Sequence, residues 1–361
     1  MRYDEARAAF PVLQRYAYLN AGSVGPMAQA TYDAMVEAGK AELGPRGGLE
    51  QFEQIIEARK GLREVVAVQI GVDAARIALT TSTSEACRIV VSGLALGAED
   101  EIVTTDTEHF GLLGPVHASG ARVRVAAVRE RPAAEALDAI LAATGPRTKL
   151  VALSHVLWLN GHVISVEELK EATSVPLLVD GAQSVGAIPV DAEPIDFYTV
   201  SGQKWLCGPT PTGGLYVRDP EALRVAAPSY FSQASYAPEG SFEPREGAAR
   251  FERSWIPAAF IAGFEAAVAA LPGWRFERAR EITDRCRELL LGAGFDVVTE
   301  PGQGTLVSWR WDGDTTAVVK RLYGDDVVIR DLPRTGLLRA SCGYWTSEDD
   351  LQRLVAALAA L

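Results

Sequence analysis

Apolar residues recur along this chain at two periods. Between positions 27 and 44 they fall at helical spacing (Met27, Ala30, Ala34, Met35, Ala38), and 49–70 repeats that spacing with a charged face opposite. Residues 1–15 read as a leading helix, and 16–26 as a strand followed by a Gly-rich turn. Short, nearly continuous apolar runs at 76–80, 101–105, 121–125, 149–155, 177–180 and 197–200 are strand-length, and helical stretches at 81–96 and 132–143 separate several of them. Strands buried on both faces and alternating with helices predict a mostly parallel sheet. Positions 211–218 read as a turn and edge strand, and 226–247, rich in Ser, Tyr, Pro and Gly, as a long loop of the kind that shapes a mouth or a dimer contact.

Further on, helices are predicted at 256–271, 276–291, 316–323 and 347–361, with strands at 295–298, 304–311, 327–330 and 337–341. The expected division is a large domain over 16–250 and a small C-terminal α/β domain over 251–361 that also takes in 1–15. A chain of 361 residues can bury cores of that size.

A net charge of -12 leaves no basic stripe to neutralise phosphates, so no nucleic-acid partner is expected. No apolar run reaches the roughly 20 residues of a membrane span, and the charged N-terminus lacks a signal-peptide core, so no membrane partner and a cytoplasmic location are expected. The four cysteines, Cys87, Cys207, Cys286 and Cys342, show no CxxC spacing, and His109, His117, His155 and His162 form no ligand motif. The cysteines read as small buried residues, and no metal is expected.

The chemistry concentrates at two points. Lys204 follows a short apolar strand in the turn Ser201-Gly-Gln-Lys-Trp205, a poor place for a solvated charge. Desolvation there would lower its pKa and favour the free amine that attacks a carbonyl. Asp180 ends the buried run Leu177-Leu-Val-Asp180, at the strand edge where open α/β sheets place ligands. An amine for the aldehyde and an acid for the ring nitrogen are what pyridoxal 5'-phosphate requires.

At these residues the chain resembles the class V aminotransferase family of fold-type I pyridoxal phosphate enzymes. The resemblance runs from about Tyr18 onward, anchored by Asp180-Gly-Ala-Gln183, Ser201-Gly-Gln-Lys204-Trp, Arg250-Phe-Glu252 and Leu338-Arg-Ala-Ser341. It implies catalytic roles for Lys204, Asp180 and His109, with the His109 imidazole stacked on the cofactor ring. It also implies a phosphate site at Thr83 and Ser84, in a hydroxyl-rich turn that by itself reads as a helix N-cap. Gln183, Ser201 and Gln203 complete the implied cofactor contacts, Gln203 standing where histidine is usual. Arg339 matches the arginine that grips the substrate carboxylate; Arg330 reads as a second contact or as an edge charge. Three departures stand out. Trp158 occupies the place of the desulfurases' asparagine, with Asn160 a substitute in the wrong register. Trp255 falls on a threonine that reaches the neighbouring subunit's phosphate, with Ser254 a weak replacement. The stretch 330–338, where desulfurases carry a nucleophilic cysteine, has none, and Cys342 lies beyond Arg339.

The run Ser154-His-Val-Leu-Trp158 looks like that of bacterial cystine C-S lyases, a cysteine desulfurase-like branch of the family. The expected reaction is therefore β-elimination on cystine or a related S-substituted cysteine, releasing pyruvate, ammonia and a persulfide or thiol. A class V aminotransferase or amino-acid epimerase is the alternative; a cysteine desulfurase or selenocysteine lyase is disfavoured. The resemblance also implies a homodimer acting on a small amino acid.

Overall fold

The computed structural model describes residues 1–253 and 255–361. The chain opens with α1 (Tyr3–Ala8), β1 (Ala17–Tyr18), α2 (Gln29–Gly39) and α3 (Leu49–Ile70). Strands and helices then alternate: β2 (Ile77–Thr80), α4 (Thr83–Leu94), β3 (Glu101–Thr105), α5 (Phe110–Ala118), β4 (Arg122–Ala126), α6 (Ala136–Ala143), β5 (Thr148–Ser154), α7 (Val166–Ala172) and β6 (Leu177–Asp180). β7 (Phe197–Ser201) and β8 (Gly213–Val217) follow, then the pair β9 (Gln233–Tyr236) and β10 (Phe242–Pro244), and α8 (Ala258–Ala269). The C-terminal part holds α9 (Arg275–Gly292), β11 (Leu306–Arg310), α10 (Thr315–Gly324), β12 (Val327–Val328), β13 (Arg330–Leu332), β14 (Leu337–Ser341) and α11 (Glu348–Ala359).

The large sheet has seven strands in the order β2-β8-β7-β6-β5-β3-β4, mostly parallel, as the alternation predicts. β8 alone runs opposite, antiparallel to both β2 and β7. The period-2 pleat sends adjacent residues to opposite faces. Val103 and Val179 thus join Val66, Ile70 and Phe264 on one side, while Ile102 and Leu178 join Val90, Leu112 and Val116 on the other. Both faces are covered by helices, the α/β arrangement of a fold-type I enzyme. In the small lobe, β11-β14-β13 form an antiparallel sheet whose Trp309 and Leu338 pack on Ile282, Leu322 and Leu354.

Three expectations need correction. β8 is interior rather than an edge strand, lying between β2 and β7 with all five residues buried. The stretch expected as a loop contains the β9–β10 hairpin, with Phe242 opposite Tyr236. Around 295–298 there is one bridge, Val297 to Trp309, and no strand.

Packing also bears on the expected division at residue 250. α8 puts Ile261 and Phe264 into the large-lobe core, whereas β1 pairs in parallel with β12, and Ala17 and Leu19 enter the small-lobe core. We therefore place the boundary after α8 and assign 16–20 to the small lobe. No described helix is long and apolar enough to cross a membrane.

Candidate active site

Six strands point their carboxyl ends the same way, and the turns leaving five of them meet around a cavity of about 140 Å³. Thr83 and Ser84 come from the β2–α4 turn, His109 from the end of β3, Asp180 and Gln183 from the end of β6, and Ser201, Gln203 and Lys204 from the end of β7. All eight residues expected at a cofactor line this one cavity.

The turn into α4 is shaped by its own side chains. Ser82 caps the helix, its hydroxyl accepting from the Glu85 N–H at 3.2 Å, and Glu85 Oε2 accepts from the Thr81 N–H and hydroxyl at 2.7 Å each. Thr83 and Ser84 are the first two residues of the helix, where backbone N–H groups have no preceding turn to bond and the dipole favours an anion.

Asp180 is buried, and its Oδ1 accepts from the Ala182 N–H at 2.9 Å and from the Thr199 hydroxyl at 3.2 Å. Its Oδ2 accepts nothing from the described residues. Beside it, Glu108 is buried in a ring of hydroxyls: Oε2 accepts from the Ser154 hydroxyl at 2.5 Å, and Oε1 from the Thr105 hydroxyl at 2.7 Å. Burial above all, with the Asp180 charge adding to it, pushes the Glu108 carboxyl up to about 7.

Burial also pulls the Lys204 amine down to about 8; Arg339 and Arg330 push the same way while Asp180 opposes them. The turn carrying this lysine is overlaid by the segment between β1 and α2. The Gly25 N–H donates to the Gln203 carbonyl at 2.8 Å, and a Cβ on Gly25 would lie 2.0 Å from the Lys204 carbonyl oxygen. Only glycine permits that approach. Gln183 fixes the same segment, donating to the Gly22 carbonyl at 2.9 Å while accepting from the Trp205 indole at 3.0 Å.

His109 caps α5, and its Nδ1 accepts from the Gly111 N–H at 3.1 Å, which assigns the ring proton to Nε2. Burial and then Lys204 lower its pKa, keeping the imidazole neutral. Trp158 meets it edge-on, with centroids 5.2 Å apart.

Arg330 and Arg339 stand opposite each other on β13 and β14. Arg339 is 1% exposed; Nη1 donates to the Trp158 carbonyl at 2.8 Å, while Nε and Nη2 are buried without a partner. Arg330 donates to the Ser23 hydroxyl at 3.0 Å. Among the described residues neither arginine pairs with a carboxylate, and both act electrostatically on Lys204 and His109. They lie beside the cavity rather than in its lining.

Trp158, Ser82, Ser154 and Ala182 also line the cavity, beyond the expected set. Ser154 was legible only as a strand end, although its register opposite Asp180 puts it at the site. Asn160 does not reach this cavity and lines a second one between the lobes. Trp255 is 53% exposed and packs on Phe231, and Ser254 lies outside the described residues.

The donor set fits pyridoxal phosphate: a depressed amine, an aspartate with one oxygen unused, and a helix N-terminus flanked by hydroxyls. Fold and cavity together define a fold-type I pyridoxal phosphate-dependent enzyme. The chain belongs to the aminotransferase class-V family, whose model matches residues 18–293. It is 30% identical to the isopenicillin N epimerase of Streptomyces clavuligerus over 99% of this chain and 98% of that protein. Among solved structures, the cystine C-S lyase C-DES in complex with its product cysteine persulfide superposes with a TM-score of 0.89 at 27% identity, covering 97% of this chain and 99% of that one. A C-DES mutant with glycine covalently linked to the PLP cofactor gives 0.90 at 26%, covering 98% of each chain.

Proposed function

We propose that this enzyme is a C-S lyase that cleaves cystine or a related S-substituted cysteine by β-elimination. The observation that carries this reading is the coincidence of an amine-type nucleophile and two acid-free arginines with the burial of every cysteine. Cys87, Cys207, Cys286 and Cys342 are all buried, and burial pushes the Cys207 thiol well up. The β13–β14 turn, where a sulfur-abstracting thiol would stand, holds none. Sulfur therefore leaves by C–S cleavage rather than by attack from a protein thiol.

In this reading Lys204 would hold the cofactor aldehyde, Asp180 Oδ2 its ring nitrogen, His109 its ring face, and Thr83, Ser84, Ser201 and Gln203 its phosphate, with Gln183 at its edge. When bound, the cofactor supplies an electron sink for the charge left at Cα. Arg339 grips the substrate carboxylate through Nε and Nη2, seconded by Arg330, and so orients the Cα–H bond. Lys204, as a free amine, would take the Cα proton. The Cβ–S bond then breaks with its electron pair going to sulfur. From cystine the leaving group is a persulfide, acidic enough to depart as an anion without a protein acid. Water converts the remaining three-carbon unit to pyruvate and ammonia. A cytoplasmic, two-fold homodimeric enzyme goes with this reading; the exposed Trp255, Tyr236 and Phe242 near the hairpin supply apolar surface for such an interface.

Purified holoenzyme mixed with cystine is expected to yield pyruvate, ammonia and sulfane sulfur in equal amounts. Unchanged cystine without any of them overturns the reading. A second reading, epimerisation at Cα, is favoured by the full-length likeness to the isopenicillin N epimerase. Loss of optical activity from an amino acid in D2O, with deuterium at Cα and no pyruvate, would identify it.

A further inference from the structure

A second cavity, about 480 Å³, opens between the lobes on the far side of the Trp158 loop. Its walls are of mixed charge. Arg334 stands on the turn between β13 and β14, and among the described residues no acid pairs with it; Arg129 and Arg310 also line the cavity, Arg310 paired with Glu130 at 3.3 Å, and Glu300 in the same wall accepts from the Ala133 N–H at 3.0 Å. His162, 4% exposed, lines the cavity; its Nε2 is buried 4.0 Å from Glu300 Oε1, beyond hydrogen-bond reach of it. The Asn160 amide, 3.2 Å from Nδ1 and also accepting from the His162 N–H, holds the ring with its proton on Nε2. A buried N–H left unmatched is unfavourable, so an acceptor is expected there. Guanidinium groups beside carboxylates, with one buried neutral donor, suit a ligand that is both anion and cation.

The cavity adjoins the carboxylate site, although the two cavities share no lining residue. Leu337, in its wall, and Arg339 lie on the same face of β14 two residues apart, roughly 7 Å at strand rise. Leu159, also in the wall, directly follows Trp158, whose carbonyl accepts from Arg339. The two α-carbons of a disulfide-linked amino-acid pair are about 4.4–6.8 Å apart.

We propose that the interlobe cavity binds the second amino-acid head of a disulfide substrate, its carboxylate on Arg334 and His162 and its ammonium on Glu300. This rests on the β-elimination reading and adds a selectivity filter: the enzyme recognises both ends of cystine, not merely the half it cleaves. The same zwitterion could arrive as a free amino acid, and the assay separates the two sources.

The holoenzyme is given cystine, the cysteine–cysteamine mixed disulfide, which lacks the distal carboxylate, and the cysteine–3-mercaptopropionate mixed disulfide, which lacks the distal ammonium. All three share the scissile bond. Pyruvate formation is expected to show kcat/KM for cystine about tenfold or more above either truncated disulfide. Arg334→Asn is expected to narrow the gap over the cysteamine compound to within about threefold; asparagine tolerates the left-handed backbone there (φ 62). Equal kcat/KM for all three in the wild type, as when the cavity takes only a free amino acid, or a gap untouched by Arg334→Asn, overturns the inference and leaves the lyase reading standing. No pyruvate from any of the three overturns both.

Discussion

Arg59 and Arg339 are each 1% exposed, yet they are buried for opposite purposes. Arg59 donates through Nε and Nη2 to Glu252 Oε2, at 3.1 and 2.6 Å, and lies 4.3 Å over the Phe231 ring. Glu252 Oε1 also accepts from Arg63 Nε at 2.8 Å and from the Leu79 N–H at 3.0 Å. That cluster ties α3 to β2 just before the hydroxyl turn at the cavity. Arg339 has a backbone carbonyl and no acid, and beside it stands a second arginine. A buried cation with its counter-charge inside the chain is architecture. One without it is arranged to receive an anion from outside.

The contrast can be broken at either end. Glu252→Gln leaves Arg59 buried without its carboxylate and is expected to cost about 3–5 kcal/mol in denaturant unfolding, with KM for the amino acid little changed. A loss below about 1 kcal/mol would put the two arginines in one class. Arg339→Met removes a charge that has no internal acid. It is expected to lower kcat/KM about a hundredfold while leaving the unfolding midpoint unchanged or raised. Arg330→Gln, at a half-buried and less constrained position, is expected to raise KM roughly fivefold.

The smallest effect is on pH. Lys204 is depressed from 10.5 to about 8, so the neutral amine gains population as pH rises through that value. The rate at which cofactor-free protein takes up pyridoxal phosphate is expected to climb across pH 7–9, followed by absorbance. Because Arg339 pushes the amine down, Arg339→Met is expected to move this midpoint upward. Linkage runs the same way. With the folded pKa below the unfolded one, the cofactor-free protein gains stability between pH 8 and 10.5, where the unfolded chain binds the extra proton.

Lys204, Asp180 and the Thr83–Ser84 turn were legible because each sits at a strand end with its chemistry written locally. The parallel part of the sheet was equally open, since strands buried on both faces read as unbroken apolar runs. Strand direction is not written that way. Gly213–Val217 is as buried as its neighbours, and nothing local shows that it runs backwards between two of them. The β9–β10 hairpin escaped because its residues are mostly exposed, so no core face imposes an alternating pattern. The Arg339–Trp158 contact and the interlobe cavity join residues distant along the chain, whose meeting only the packed lobes reveal. Glu108 carries no sign in sequence of the hydroxyl ring that surrounds it.

The pairing of β1 with β12 sets an order of events during synthesis. Ala17 leaves the ribosome roughly 310 residues before its partner Val327. At about 5–20 residues per second, the opening strand spends some tens of seconds without a neighbour while the large sheet can already be closing. Ala17–Tyr18 must therefore stay out of that sheet until β12 is made, so the small lobe is completed by a strand synthesised before the large sheet.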